Sequence, residues 1–296
     1  MALSLSRRWA IVWFSVDSSA RVVTVMRCRF AGTALPGLGE NMAMPATHRP
    51  LNISIGSVPL SLRIPENVLY EKAHSRYREF TAPSASGLPI HHRSKSAPPP
   101  AHSSFSYAFD DARVYLGQSS VEFHGVRHEY ALDSLIRILL TMILLPERGF
   151  LLHAASIVRD GRAYIFMGRS GAGKSTVASL SPEGSVLTDE ISLLRFVDGA
   201  LQAHGTPFWG EFRAAGLNER YPVAGIYQLV QAPEDRVEAL SQKEILRALL
   251  PCVLFFSSEA RASEILLQSL LAVAAQIPCY RLHFRRNAQF WKVIAP

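Results

Sequence analysis

An α/β fold, a mixed sheet flanked by helices, is predicted by three features of this sequence. Segments with the two-residue period of strands are interleaved with segments of helical period along most of the chain. Two Asp-Gly pairs, Asp160-Gly161 and Asp198-Gly199, join apolar runs as tight hairpin turns. The glycine-rich segment Gly168-Arg169-Ser170-Gly171-Ala172-Gly173-Lys174-Ser175 stands between a strand-like and a helix-like stretch.

The elements follow in order from Leu51. Leu51–Ile55 and Val58–Ile64 alternate as two strands around Gly56-Ser57. Pro65 opens a helix whose buried face carries Val68, Leu69, Ala73, Tyr77 and Phe80. Residues 82–104 are rich in Pro, Ser and His and poor in apolar side chains, so they read as a disordered linker or long loop. Strands are expected at Phe105–Phe109, Arg113–Leu116 and Ser120–Phe123, then an apolar, buried helix over Tyr130–Leu145. Phe150–Val158 and Arg162–Met167 form the hairpin that leads into the glycine-rich segment. A strand over Ser185–Val197 turns into Leu201–His204. Helices at Ser241–Leu250 and Ala260–Gln276 and a strand at Cys279–Phe284 close the chain. The domain reading is therefore a leader over 1–50 outside the fold, a hairpin and helix over 51–81, the linker 82–104, and a core over 105–296. Translation from Met42 or Met44 would account for the leader.

Composition narrows the function classes. With 296 residues and 48% hydrophobic side chains, the chain can bury a sizeable core. The net charge of +7 is concentrated at the N-terminus, where residues 1–50 hold six arginines against two acids. A solvated tail explains that excess, so no nucleic-acid partner is expected. The apolar run Leu135–Leu145 is broken by Arg137 and too short to span a bilayer, so no membrane partner is expected either. Cys28, Cys252 and Cys279 have no metal-ligand spacing and read as reduced, buried thiols of a cytoplasmic protein.

The chemistry lies in two segments. Gly168-x-x-x-x-Gly173-Lys174-Ser175 satisfies the phosphate-loop pattern and its strand–loop–helix setting. Glycines let backbone N–H groups curl round phosphates, Lys174 reaches the β- and γ-phosphates of ATP, and the Ser175 hydroxyl ligates Mg²⁺. The second segment, Val186-Leu187-Thr188-Asp189-Glu190, is a short apolar strand ending in a pair of acids that would face the metal. Only 13 residues lie between Ser175 and Asp189, which points to a small kinase-like core.

These segments, with Leu152-His153-Ala154-Ala155 ahead of them, resemble the catalytic domain of the HPr kinase/phosphorylase family in order and spacing. Gly205-Thr206-Pro207-Phe208-Trp209-Gly210-Glu211 and Tyr280-Arg281-Leu282-His283-Phe284 with Phe290-Trp291 extend the resemblance over residues 51–294. It implies a P-loop kinase core of the HPr kinase/phosphoenolpyruvate carboxykinase type, using ATP and Mg²⁺ to phosphorylate a serine. Carried over by position, His153 and Asp189 join Lys174 as catalytic residues, with Asp189 as base toward the acceptor hydroxyl. Nucleotide binding falls to Gly168, Arg169, Ser170, Gly171, Ala172, Gly173, Lys174, Ser175 and Thr176, and the metal to Ser175, Asp189 and Glu190. Glu190 replaces an aspartate of the family pattern, Ala154 a glycine and Thr176 a glutamate, and the late arginine-rich signature is not recognisable. The resulting expectation is a kinase acting on a serine of a peptide or small protein, with oligomerisation open. The alternative is a P-loop ATPase or nucleotide-gated switch without an acceptor.

Overall fold

The computed structural model describes residues 8–11, 26–29 and 50–294, apart from 84–86, 102, 104, 110–111, 118, 127, 183–184, 211–215 and 258. Strands β1 (Arg8–Ile11) and β2 (Met26–Arg29) pair as a two-stranded sheet. The remainder of the expected leader, including Met42 and Met44, lies outside the described residues. From Met26 onward the chain divides into two units, the first running to Leu135 and the second from Ile136, so the division falls within a helix rather than at residue 105.

The first unit carries a six-stranded mixed sheet in the order β3-β4-β5-β8-β7-β6. Its hairpin, β3 (Leu51–Ile55) and β4 (Val58–Arg63), pairs Ile55 with Val58 around Gly56 and Ser57, both at positive φ. Helix α1 (Asn67–Arg76) starts at Glu66, whose carboxylate accepts from the N–H groups of Val68 and Leu69 and so satisfies two orphan donors. Leu69 and Ala73 are buried as the periodicity requires, but Val68 is exposed.

Strand β5 (Leu88–Arg93) corrects the reading of 82–104 as disordered. It lies between β4 and β8 (Val121–His124), parallel to both. Its inward positions are Ile90 and His92. His92 is buried against Phe123, with its ring Nε2 at 3.0 Å from the Val126 carbonyl. A histidine on the buried face weakens the hydropathy alternation, and Pro89 argues against a central strand; together they hid this element. Strands β6 (Phe105–Phe109) and β7 (Ala112–Leu116) complete the sheet antiparallel to one another.

Helix α2 (Glu129–Leu144) begins in the first unit, where Asp133 forms a buried ion pair with Arg76. The Arg76 Nε donates to Asp133 at 2.9 Å and the Tyr77 hydroxyl at 2.7 Å.

The second unit is built round a nine-stranded mixed sheet, with helices packed on it. Strand β9 (Phe150–Arg159) is its hub. Residues 154–159 pair with β10 (Arg162–Met167) through a turn that holds Asp160 and Gly161 at positive φ. Leu151 and Leu152 pair instead with β12 (Ile191–Val197) and the two-residue β16 (Val253–Leu254). The expected strand over 185–197 is therefore two strands. β11 (Val186–Thr188) pairs with β9 near Ile157, β12 pairs nearer its start, and Asp189 and Glu190 fill the break.

Strand β13 (Ala200–His204) follows β12, and β14 (Arg220–Gln231) runs parallel to β10. The twelve residues of β14 carry no sequence expectation. Pro222 and Gly225 interrupt the run, and the register slips at Ala224, so alternation is lost where the strand is most buried. Strands β15 (Arg236–Ala239) and β17 (Cys279–Phe284) finish the sheet, β17 parallel to β14.

Alternation along β10 separates two cores. Ile165 and Met167 pack with Ile245 and Leu249 of α4 (Gln242–Leu249) and with Leu270 and Val273 of α5 (Ala260–Gln276). Tyr164 and Phe166 face Tyr227, Phe284, Phe290 and Val177 on the other side. Each fully buried large side chain contributes about 1.5–3 kcal/mol, so this double-faced burial fixes β10 and the loop that leaves its end. No helix among the described residues is long and apolar enough to cross a membrane.

Candidate functional site

The site starts where β10 ends. Gly168 leaves the strand, residues 169–173 form the loop, and α3 (Lys174–Ser179) begins at Lys174. Arg169, Ser170 and Gly171 are exposed at the tip, Ala172, Ser175 and Thr176 are half-buried, and Lys174 is only 8% exposed. The lysine turns back beneath the loop: its Nζ donates to the carbonyls of Gly168 at 3.0 Å and Arg169 at 3.3 Å. Gly173 has φ 112°, and a Cβ there would stand 2.6 Å from the Phe284 ring, so glycine is required both by conformation and by space. From the end of β14, Gln231 donates to the Gly171 carbonyl at 2.7 Å and accepts from Arg286 at 3.1 Å.

The acid pair occupies the break between β11 and β12. Asp189 is 2% exposed, and both its oxygens accept from the Gly210 N–H, at 2.9 and 3.1 Å. Glu190 is more open, with a side chain 32% exposed, and accepts from Arg137 Nη2 at 3.4 Å. The segment that reaches Asp189 is anchored by its own interior. Thr206 and Phe208 are fully buried, and the Thr206 hydroxyl donates to the Ile191 carbonyl at 2.6 Å. Gly205–Gly210 therefore both caps the core and holds the acid. Glu211 lies outside the described residues.

His153 sits on β9 opposite Ile191, half-buried. Burial first, then the charges of Lys174 and Arg137, pull its pKa down to about 4, so the imidazole is neutral at physiological pH. That electrostatic reach is what ties the elements together, because His153 feels the loop lysine and the arginine that holds Glu190. His153 lies next to Ala154, which pairs with the last residue of β10, and opposite Ile191, which follows Asp189 and Glu190; Lys174 opens α3 beyond the end of β10.

Three participants went unread in the sequence. Arg137 was noted only as a break in an apolar run, yet its guanidinium lies 4.9 Å from the centroid of the Phe208 ring and reaches Glu190. A charge inside the apolar run Leu135–Leu145 is the signal that could have found it. Gly210 offers only a backbone N–H and leaves no such signal. The Cys252 thiol is raised by burial, while the Lys174 charge and a hydrogen bond with the Gly168 backbone pull the other way, so it stands against the loop.

Among the described residues, no three His, Cys, Asp or Glu side chains gather as a metal cluster. Mg²⁺ in nucleotide sites takes one or two carboxylates, the remainder being phosphate and water oxygens. Asp189, Glu190 and the Ser175 hydroxyl offer the hard oxygen donors such a site uses, so the donor set fits.

Fold and site together define a mixed α/β protein with a glycine-rich loop between a strand and a short helix, and with a carboxylate pair in the break between β11 and β12. The chain belongs to the family described as SynChlorMet cassette protein ScmC, whose model matches residues 131–295. No curated protein matches the chain. Among solved structures, the Hpr(Ser) kinase/phosphatase from Coxiella burnetii is similar, with 13% identity over 43% of this chain and 90% of that one, at a TM-score of 0.24. A likeness that weak carries no argument. The resemblance to the HPr kinase/phosphorylase family is thereby corrected: the family is ScmC, and its match starts at residue 131, not 51. The motifs behind the resemblance are short. A glycine-rich loop with a lysine and a strand ending in acid recur in unrelated phosphate-binding proteins, so they do not by themselves fix a family.

Proposed function

We propose that the protein binds ATP on the loop Gly168–Ser175 and transfers the γ-phosphoryl group to a hydroxyl, with a serine of a peptide or small protein as acceptor. The observation that carries this reading is the placement of Lys174, buried under its own loop, within electrostatic reach of His153, beside which Asp189 and Glu190 emerge from the sheet. In this reading the second unit is a P-loop kinase core, supported by the β10–loop–α3 order and by the parallel neighbours β14 and β17.

Loop N–H groups and Lys174 bind the phosphates and stabilise charge on the transferred group. Thr176 and the exposed Arg169 and Ser170 line the loop against the nucleotide. Mg²⁺, held by Ser175, Asp189 and Glu190, would neutralise phosphate charge when bound. Asp189, oriented by the Gly210 N–H, takes the acceptor's proton. Neutral His153 can donate one hydrogen bond and accept another without adding charge. An ATP-consuming reaction of this kind belongs in the cytoplasm.

One observation favours a second reading, hydrolysis without an acceptor. Glu190 is the more exposed acid and could orient water. Incubation with [γ-³²P]ATP and a panel of serine-containing peptides decides between them. Label on a peptide supports the kinase, steady release of inorganic phosphate alone supports the ATPase, and failure to bind Mg-ATP removes both.

A further inference from the structure

We propose that Arg137 is a second phosphoryl-binding cation, which clamps the peripheral oxygens of the γ-phosphoryl group during transfer; this rests on the ATP-binding reading above.

Arg137 projects from α2 with a side chain 18% exposed. A guanidinium carries five N–H donors in a fixed plane. Here a single donor, Nη2, meets Glu190 at 3.4 Å, a long contact by one nitrogen where a fork of two is available. The Nε–H is buried and has no hydrogen-bond partner among the described residues. Phe208, itself fully buried, holds the guanidinium at 4.9 Å from its ring centroid. The cation is thus fixed from one side and unsatisfied at Nε. A buried donor without a partner is costly, and such groups persist where a ligand completes them.

The ligand that fits is an oxyanion. The charges of Arg137 and Lys174 both disfavour a protonated His153, so each lies near enough to act on that ring. Glu190 pairs with Arg137 through one nitrogen. In the transfer step the bond from the γ-phosphorus to the ADP oxygen breaks, a bond to the acceptor hydroxyl oxygen forms, and the hydroxyl proton passes to Asp189. Charge then rests on three peripheral phosphoryl oxygens, and a planar fork reads two of them at once. Glu190 keeps the guanidinium placed before nucleotide arrives.

The test measures affinity for ADP, and for ADP with aluminium fluoride and Mg²⁺ as a mimic of the phosphoryl group in flight, by calorimetry on the full chain. Arg137→Gln should leave ADP affinity within about twofold and weaken the mimic about 10³-fold or more, the lower end for an arginine of this kind. Arg137→Lys, which keeps the charge and the packing over Phe208, should fall between and serves if the glutamine variant fails to fold. Equal loss for ADP and the mimic would show a merely structural residue and overturn the inference. So would a mimic affinity unchanged in both variants. Wild-type protein that binds neither ligand would instead remove the ATP-binding reading itself.

Discussion

The ammonium of Lys174 donates to the carbonyl oxygen of Gly168 at 3.0 Å, so the lysine that would meet phosphate closes the loop on itself. Gly168 is the last buried residue before the exposed loop tip, and its carbonyl is a neutral partner that a phosphate oxygen would outcompete. Lys174→Ala should therefore weaken Mg-ATP binding and abolish turnover. Lys174 lies outside both hydrophobic cores, so its removal should leave the fold intact. Equal ATP affinity for variant and wild type in calorimetry would sink the assignment of this loop.

The acid pair gives two distinguishable variants. Asp189→Asn keeps an oxygen to accept from Gly210 but loses the charge that takes a proton. ATP should still bind, and the single-turnover rate of phosphoryl transfer should fall by roughly 10²–10⁴-fold. Glu190→Gln should act through metal instead, raising the Mg²⁺ concentration needed for half-maximal rate. If the protein is an ATPase the pattern reverses, and Glu190→Gln abolishes hydrolysis at any Mg²⁺ concentration.

Two histidines tie stability to pH. His153 and His204 are each lowered to about 4, both chiefly by burial; Arg195 and Arg220 add to the effect at His204. Unfolding restores a value near 6.5, so between pH 6.5 and 4 the unfolded chain binds protons that the native protein does not. Stability is therefore complete above about pH 6.5 and lost progressively as pH falls toward 4. Each histidine contributes at most about 1.4 kcal/mol per pH unit across that window. Urea unfolding of His204→Gln at pH 4.5 and 7.5 should show a smaller difference than wild type. An identical difference would mean that His204 is protonated in the native state.

The buried pair Arg76–Asp133 holds α1 to the start of α2 in the first unit. Asp133→Ala strands a buried guanidinium and should cost about 3–5 kcal/mol. Replacing both partners, Arg76→Met with Asp133→Leu, should recover most of that loss, because it removes the uncompensated charge. Thermal melts of the single and double variants read the difference. A double variant as unstable as Asp133→Ala would place the cost in packing.

Most local structure was readable from the chain because it depends on neighbours in sequence. The hairpin at Gly56-Ser57, the turns at Asp160-Gly161 and Asp198-Gly199, the strand Cys279–Phe284 and the helix Ala260–Gln276 all lie where period and turn chemistry put them. The loop Gly168–Ser175 and the acids Asp189 and Glu190 were visible for the same reason, as short contiguous patterns. Tertiary structure alone decided β5 and β14, whose burial between partner strands overrides Pro89, His92, Pro222 and Gly225. It also split the expected strand at 185–197, since β11 and β12 pair with different stretches of β9 and leave the acids outside the ladder. Finally, it set Arg137 on Phe208 and Glu190, and the Gly210 N–H on Asp189. Those partners lie 71, 53 and 21 residues apart, and contacts across such separations come from the packing of whole elements. A sequence pattern states which residues can do chemistry; only the folded sheet brings them within reach of one another.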